Sequence, residues 1–297
     1  MINEIKQLFK YHIGNQDLLA SHDLNQVYKQ TITDLNRNID NFELSNRKIL
    51  DLGCGQRYPF SLLCSLNNAN VTALDIDYVK PGNIFMMFFK ILYYNGFKRF
   101  LKTVFRKLFL DASYYSKLTG QSKKAIKKFK NNISFILFDP LVEKYPLESN
   151  AFDLICSNAV LEHVNNVDLF AKELYRLLKN GGVFYGIIHN YYSISGGHNL
   201  EMAFPDTKPS AKIPPWDHLL DNKYPTFIYL NKLKPEEYKR IFSKYFDVLL
   251  FKGCGLNHVE GELEGISIYE HGIDERLKKY PKNLLTTRAY KILIMKK

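Results

Sequence analysis

The stretch Ile49-Leu50-Asp51-Leu52-Gly53-Cys54-Gly55 limits what this chain can fold into more than any other. An apolar run of buried-strand character passes straight into a Gly-x-Gly turn, where the missing side chains let backbone approach a ligand that any Cβ would strike. A second apolar run, Val71 to Leu74, ends in Asp75. In an open α/β sheet ligands sit beyond the carboxyl ends of the strands, and an acid about 20 residues after the glycine turn accepts ribose hydroxyls. A dinucleotide fold needs a third glycine three residues after the second. Tyr58 stands there, which disfavours NAD or FAD. No Gly-Lys-Ser/Thr follows, so the turn is not a P-loop.

Further elements alternate in type. Pro59 to Leu66 reads as a short helix, Ile133 to Phe138 as a third strand ending at Asp139, and Phe152 to Cys156 as a fourth. Asp168 to Leu178 carries Leu169, Leu174, Leu177 and Leu178 on one helical face, with Asn180-Gly181-Gly182 as its stop signal. Val183 to Ile188 is a fifth strand. Pro235 opens a helix to about Lys244, and Phe246–Phe251 and Tyr290–Met295 are apolar strands. Strands alternating with helices predict a doubly wound, mostly parallel sheet covered on both faces. Residues 1–46 form a separate helical segment with Ile2, Ile5, Leu8 and Phe9 at helix spacing. Residues 47–297 form the main domain, with insertions at 80–130 and 190–230.

The sequence has 41 basic and 30 acidic residues, a net charge of +11. Between Lys80 and Lys130 stand 13 basic residues and one acid, Asp111; outside that segment the balance is near zero. A basic insert points to an anionic partner and is silent on fold. Four cysteines, Cys54, Cys64, Cys156 and Cys254, lie far apart with no Cys-x-x-Cys pair. That disfavours a zinc ribbon and fits a reducing compartment, so a cytoplasmic location is expected. The N-terminus lacks the apolar core of a signal peptide. The apolar run Ile84 to Leu110 is interrupted by Lys90, Lys98, Arg99, Lys102, Arg106 and Lys107, which argues against a membrane span.

Taken in order, Ile49–Gly55 (ILDLGCG), Val71–Asp77 (VTALDID), Phe152–Val164 (FDLICSNAVLEHV) and Leu177–Ile188 (LLKNGGVFYGII) resemble the successive motifs of class I S-adenosylmethionine-dependent methyltransferases. The resemblance implies a Rossmann-like seven-stranded sheet ending in an antiparallel hairpin, with S-adenosyl-L-methionine as cofactor. It implies that Gly53, Cys54 and Gly55 border the methionine end and that Asp51 supports the glycine loop or the amino group. Asp75 and the adjoining Ile76 would serve the ribose, and Phe138 and Asp139 the adenine. Ser157 and Asn158 would face the sulfonium, with His163 in the following turn. The loop departs from the family pattern at Gln56-Arg57-Tyr58-Pro59. A cation beside a sulfonium is awkward, so Arg57 is expected to point to solvent or to the ligand carboxylate.

Methyl transfer from sulfur is an in-line displacement, so positioning supplies much of the rate. A hydroxyl acceptor also needs a base, and the site for one is the carboxyl ends of the fourth and fifth strands. His189 directly follows the fifth strand, and His198 and His218 lie in the 190–230 cap. All three are candidate bases. No His-x-x-x-His spacing occurs, so no metal site is expected. The cap is rich in aromatic residues, Tyr191, Tyr192, Phe204, Trp216 and Tyr224, which suit sugar rings. HNYYSISGGHN followed by PPWDHL is similar to methyltransferases associated with bacterial surface-polysaccharide synthesis. A small-molecule or glycan acceptor, methylated at oxygen, is therefore expected. An RNA, lipid or quinone acceptor and a non-catalytic cofactor-binding module stay as alternatives. No RNA-binding module is recognisable.

In the basic insert, Phe97, Phe100, Leu101, Val104, Phe105 and Leu108 take one helical face and Lys98, Arg99, Lys102 and Arg106 the other. Three readings fit. The apolar face docks on the domain as a lid, residues 84–110 make peripheral contact with an anionic membrane, or the basic face binds nucleic acid. Oligomeric state is not legible.

Overall fold

The computed structural model describes residues 16–122, 126, 127, 129, 130, 132–139 and 144–297. The stripe Ile2, Ile5, Leu8 and Phe9 and part of the Lys123–Lys130 cluster lie outside them. The chain divides into two compact units, Met1–Pro140 and Leu141–Lys297.

The first unit opens with helix α1 (Gln16–His22), a π-helical stretch (Asp23–Lys29) and α2 (Gln30–Asn38). Then come β1 (Lys48–Leu52), α3 (Pro59–Leu66) and β2 (Asn70–Asp75). The insert follows as α4 (Ile84–Phe109) and α5 (Asp111–Thr119), before β3 (Ser134–Leu137). The strands are parallel in the order β3-β2-β1, with Leu52 opposite Leu74 and Asp75 opposite Leu137. Ile49, Leu50, Leu52, Ala73 and Leu74 have no exposed surface. Burial on both faces is why these strands read as unbroken apolar runs.

The insert departs from the expected single amphipathic helix. Gly96, at φ 77° and ψ 169°, breaks α4 into two arms. In the second arm the lid reading is reversed, because the polar face turns inward. Arg99 pairs with Asp77 at 2.7 Å, Arg106 reaches the Gln56 carbonyl at 3.0 Å, and Thr103 is buried beside the Gln56 side chain. Phe85, Phe89, Tyr93, Phe97, Leu108 and Phe109 remain more than half exposed. The second arm spends its hydrogen-bonding groups on Asp77 and Gln56, while the first buries Met87 and Ile91, and the aromatics of both are left outward.

The second unit contains β4 (Phe152–Asn158), a 3-10 turn (Leu161–His163), α6 (Val167–Leu177) and β5 (Leu178–His189). After the cap come α7 (Pro235–Ser243), β6 (Phe246–Cys254), α8 (Ile266–His271), α9 (Lys282–Thr286) and β7 (Ala289–Lys296). β4 and β5 are parallel, β7 runs antiparallel to β5, and β6 antiparallel to β7. The mixed α/β sheet thus has seven strands among the described residues, three in the first unit and four in the second.

One boundary differs from expectation. Asn180-Gly181-Gly182 does not stop a helix. α6 ends at Leu177, and β5 begins at Leu178 and runs through the glycines. The pairing with β4 slips between Phe152 and Leu154. A Cβ on Gly182 would stand 3.0 Å from the Phe152 carbonyl, so the glycines serve a bulge in the strand.

The 190–230 cap has little regular structure but its own core. Ile194, Met202, Ile213 and Trp216 pack with Leu277 and Leu285, so residues near 277–285 complete it. Among the described residues no helix is long and apolar enough to cross a membrane.

Candidate functional site

In the first unit the strand ends gather the expected nucleotide residues. Gly53 and Gly55 take φ of 76° and 70°, the left-handed region where a side chain is strained. The Gly53 and Cys54 amides both donate to the Leu74 carbonyl, which ties the turn to the end of β2. The Gly55 amide donates to Asp75 Oδ2 at 2.7 Å, and the Asp77 amide to Asp75 Oδ1 at 2.9 Å. Burial raises the Asp75 carboxyl above its ordinary value, against the pull of these two amides. Ile76 stands exposed beside it. Just past β3 the Phe138 amide donates to the Asp75 carbonyl, and Asp139 follows it.

Asp51 faces away from open space. It accepts from the Ser61 amide at 3.1 Å and hydroxyl at 2.5 Å in the first turn of α3, and burial pushes its carboxyl up to about 6. Its contacts are those of a support for the glycine loop.

Arg57 corrects expectation. It points neither to solvent nor towards a ligand. Its guanidinium pairs with Asp111 at 3.0 Å, bonds Gln16 Oε1 at 2.8 Å and lies 4.1 Å over the Tyr114 ring. Asp111 also holds Arg106 at 3.0 Å. The one acid of the basic insert therefore bridges the cation of the glycine loop and Arg106. Tyr58, at the position of the absent third glycine, takes φ 39° and packs its buried ring against Phe135.

In the second unit Ser157 is buried at the end of β4 and Asn158 is exposed. The turn after it carries Glu162 and His163, and β5 ends at His189. Cap residue His198 folds back onto His189. Their rings lie 4.6 Å apart, with His189 Nδ1 2.8 Å from His198 Nε2. His163 stacks edge-on to His198 at 5.0 Å and its Nδ1 bonds the Tyr229 carbonyl. Three of the four candidate histidines thus meet beside Glu162. His218 does not join them. Its Nε2 bonds the Tyr191 carbonyl at 2.7 Å inside the cap, and burial brings it down to about 4.

The cluster has a backing chain invisible in sequence. His189 Nε2 lies 2.9 Å from Ser195 Oγ, Ser195 donates to Glu264 at 2.7 Å, and Glu264 pairs with Arg288. Burial, then the neighbouring imidazole and Arg288, hold His189 well below its ordinary value. Burial and His163 bring His198 down to about 4. Both rings are neutral near pH 7. Glu162 is only 2% exposed, its two carboxylate oxygens have no hydrogen-bond partner among the described residues, and burial pushes it up to about 8. Its motif, LEHV, was visible, but its convergence with two histidines from β5 and the cap was not.

Parallel strands ending in a left-handed glycine turn opposite an acidic strand end define a Rossmann-like, nucleotide-binding α/β protein. The chain belongs to the family of methyltransferase domains, whose sequence profile matches residues 22–245. It is similar to the ubiquinone/menaquinone biosynthesis C-methyltransferase UbiE of Agrobacterium fabrum, 33% identical over 73 residues, which are 25% of this chain. The match spans 27% of that relative's length. Among solved structures, a putative S-adenosylmethionine-dependent methyltransferase from Listeria monocytogenes aligns at TM-score 0.47 and 14% identity, covering 89% of this chain and 97% of its own. A geranyl diphosphate C-methyltransferase from Streptomyces coelicolor aligns at TM-score 0.48 and 10% identity, covering 91% and 79%. Likeness at this level carries nothing about the acceptor. The family's domain is a methyltransferase domain, and the cofactor the sequence motifs imply is S-adenosylmethionine. The glycine turn fits that cofactor: a Cβ at Gly55 would meet no atom within 4 Å, so the loop borders open space.

Proposed function

We propose that this enzyme methylates an oxygen of a small-molecule or glycan acceptor, in surface-polysaccharide synthesis. Bound S-adenosylmethionine supplies an electrophilic methyl group. Gly53, Cys54 and Gly55 would border its methionine end, with Asp51 holding the loop in place. Asp75 and Ile76 would take the ribose, and Phe138 and Asp139 the adenine. Ser157, Asn158 and His163 would lie on the sulfonium side.

The observation that carries the oxygen reading is the group Glu162, His189 and His198 at the carboxyl ends of β4 and β5. A hydroxyl is a poor nucleophile until its proton is removed. This group would take the acceptor hydroxyl's proton and pass it to water as the methyl group moved from sulfur to oxygen, the electron pair of the broken bond staying on sulfur. The cap supplies rings that suit a sugar, Tyr191 and Tyr192 at 5.5 Å with Tyr280 beside them. The test is transfer of a radiolabelled methyl group to glycan, lipid, quinone and RNA pools. Label in a hydroxylated glycan fraction supports the reading. Label at a quinone carbon or in RNA refutes it.

The exposed aromatics of α4, beside Lys90, Lys98 and Lys102, support peripheral contact with an anionic bilayer from the cytoplasmic side. Vesicles with about one-third anionic lipid should float the enzyme at low salt. The double variant Phe89→Asp and Phe97→Asp should stay behind with its cofactor affinity intact. Flotation of that variant would refute the contact.

A further inference from the structure

We propose that Glu162, His189 and His198 form a binding site for a divalent first-row transition-metal ion. One ligand atom from each lies within 4.8 Å of the other two. This deepens the oxygen reading above and rests on it only for the use made of the ion.

The hydrogen-bond directions argue for a cation. Ser195 has one proton and gives it to Glu264, so its oxygen accepts from His189 Nε2–H. Neutral His189 therefore carries a lone pair on Nδ1, aimed at His198 Nε2, 2.8 Å away. His163 donates from Nδ1 to the Tyr229 carbonyl, and its Nε2 lies 3.9 Å from Glu162 Oε1. Glu162 adds a carboxylate 4.0 Å from His198 Nε2, with both oxygens buried and unpartnered among the described residues. A proton shared between His189 and His198 satisfies those two and leaves Glu162 orphaned. A buried polar group without a partner costs about 1–3 kcal/mol, more when charged. One cation among the three satisfies all of them.

The surroundings are built for it. A metal-bound histidine commonly donates its other N–H to a group that fixes its tautomer. Ser195, Glu264 and Arg288 form that support for His189. His198 is held by a turn no ordinary sequence could make. It sits at φ 56°, after two glycines whose added Cβ atoms would stand 2.1 Å from the Tyr191 carbonyl and 2.8 Å from His218. Asn190 anchors the start of the turn through the Leu284 and Thr287 carbonyls. Two imidazoles and one carboxylate suit Zn²⁺, Mn²⁺, Fe²⁺ or Co²⁺ better than Mg²⁺ or Ca²⁺. With ligand bonds of about 2.0–2.2 Å the two ring nitrogens, now 2.8 Å apart, would part to about 3.3 Å and the carboxylate, 4.0 Å from His198, would draw in. Three protein ligands leave coordination positions for water or an acceptor oxygen, whose proton such an ion makes easier to lose.

The test uses the full-length, tag-free protein stripped with a chelator and titrated with Co²⁺, read by visible absorption and calorimetry. We expect one Co²⁺ per chain with a ligand-field band. Glu162→Gln and His198→Ala should each weaken binding at least about 10-fold, and Ser195→Ala, which leaves the ligands in place, about 10-fold. Circular dichroism and S-adenosylhomocysteine affinity, measured in parallel, report that each variant is folded. Absence of stoichiometric Co²⁺ binding, or binding that Glu162→Gln leaves unchanged in a folded variant, overturns the site. Methyl transfer to carbon or nitrogen with the ion bound would overturn the oxygen reading and leave the metal site standing.

Discussion

Replacing Glu162 by glutamine tests the burial of its carboxyl independently of any activity. In the folded chain that group titrates near 8, against an ordinary value of 4.5. Below about pH 4.5 both folded and unfolded states hold the proton. Between there and pH 8 only the folded state does, so unfolding releases a proton and stability falls as pH rises. The loss levels off above the folded value. Each tenfold difference in proton affinity between the two states is worth about 1.4 kcal/mol, so between pH 5 and pH 8 the chelator-treated wild type should lose about 3 kcal/mol relative to Glu162→Gln. The depressed histidines act in the opposite sense, losing stability as pH falls below their ordinary 6.5. Both proteins share them, so they cancel in the difference. Any fixed cost of burying the glutamine amide cancels in the slope. Urea denaturation of both proteins at pH 5, 6, 7 and 8 measures it. Parallel stability curves would refute the reasoning, since they would mean that Glu162 ionises as freely folded as unfolded. Added Zn²⁺ should erase the wild-type deficit at pH 8, because a bound ion favours the charged form.

Two other substitutions address the cofactor loop and the cap. Asp75→Asn exchanges one of two accepting oxygens for a donor facing the Gly55 or Asp77 amide. It should weaken S-adenosylhomocysteine binding by about 10-fold or more in calorimetry, the scale for one charged hydrogen bond; unchanged affinity would remove Asp75 from the site. Gly196→Ala drives a Cβ into the Tyr191 carbonyl and should cost at least about 2 kcal/mol in urea denaturation. An unperturbed midpoint would show that the cap turn relaxes freely.

The parts of the fold that follow from local pattern were legible. β1 and α3 begin and end where the apolar run, Pro59 and Leu66 place them, because both lie in a layer whose faces are covered. The bulge in β5 was not legible, since Asn-Gly-Gly signals a helix end as readily as a break in strand pairing. The orientation of α4 was not legible either. A two-faced helix says that the faces differ, and only Asp77, Gln56 and Asp111 decide which one turns inward. The strand-end positions of Gly53, Asp75 and Phe138 could be read because each follows an apolar run. Glu162 with His198, and Ser195 with Glu264, come together across separations of 36 and 69 residues. No spacing rule reaches that far.

Asp111 bears on any attempt to trim the enzyme. Residues 80–130 look like an appendage that could be cut to a short linker. Excision would strand Arg57 without its counter-charge at the mouth of the glycine turn. The shortened protein would leave Arg57 without Asp111 or the Tyr114 ring, so the appendage is part of what holds the side chains of that turn in place.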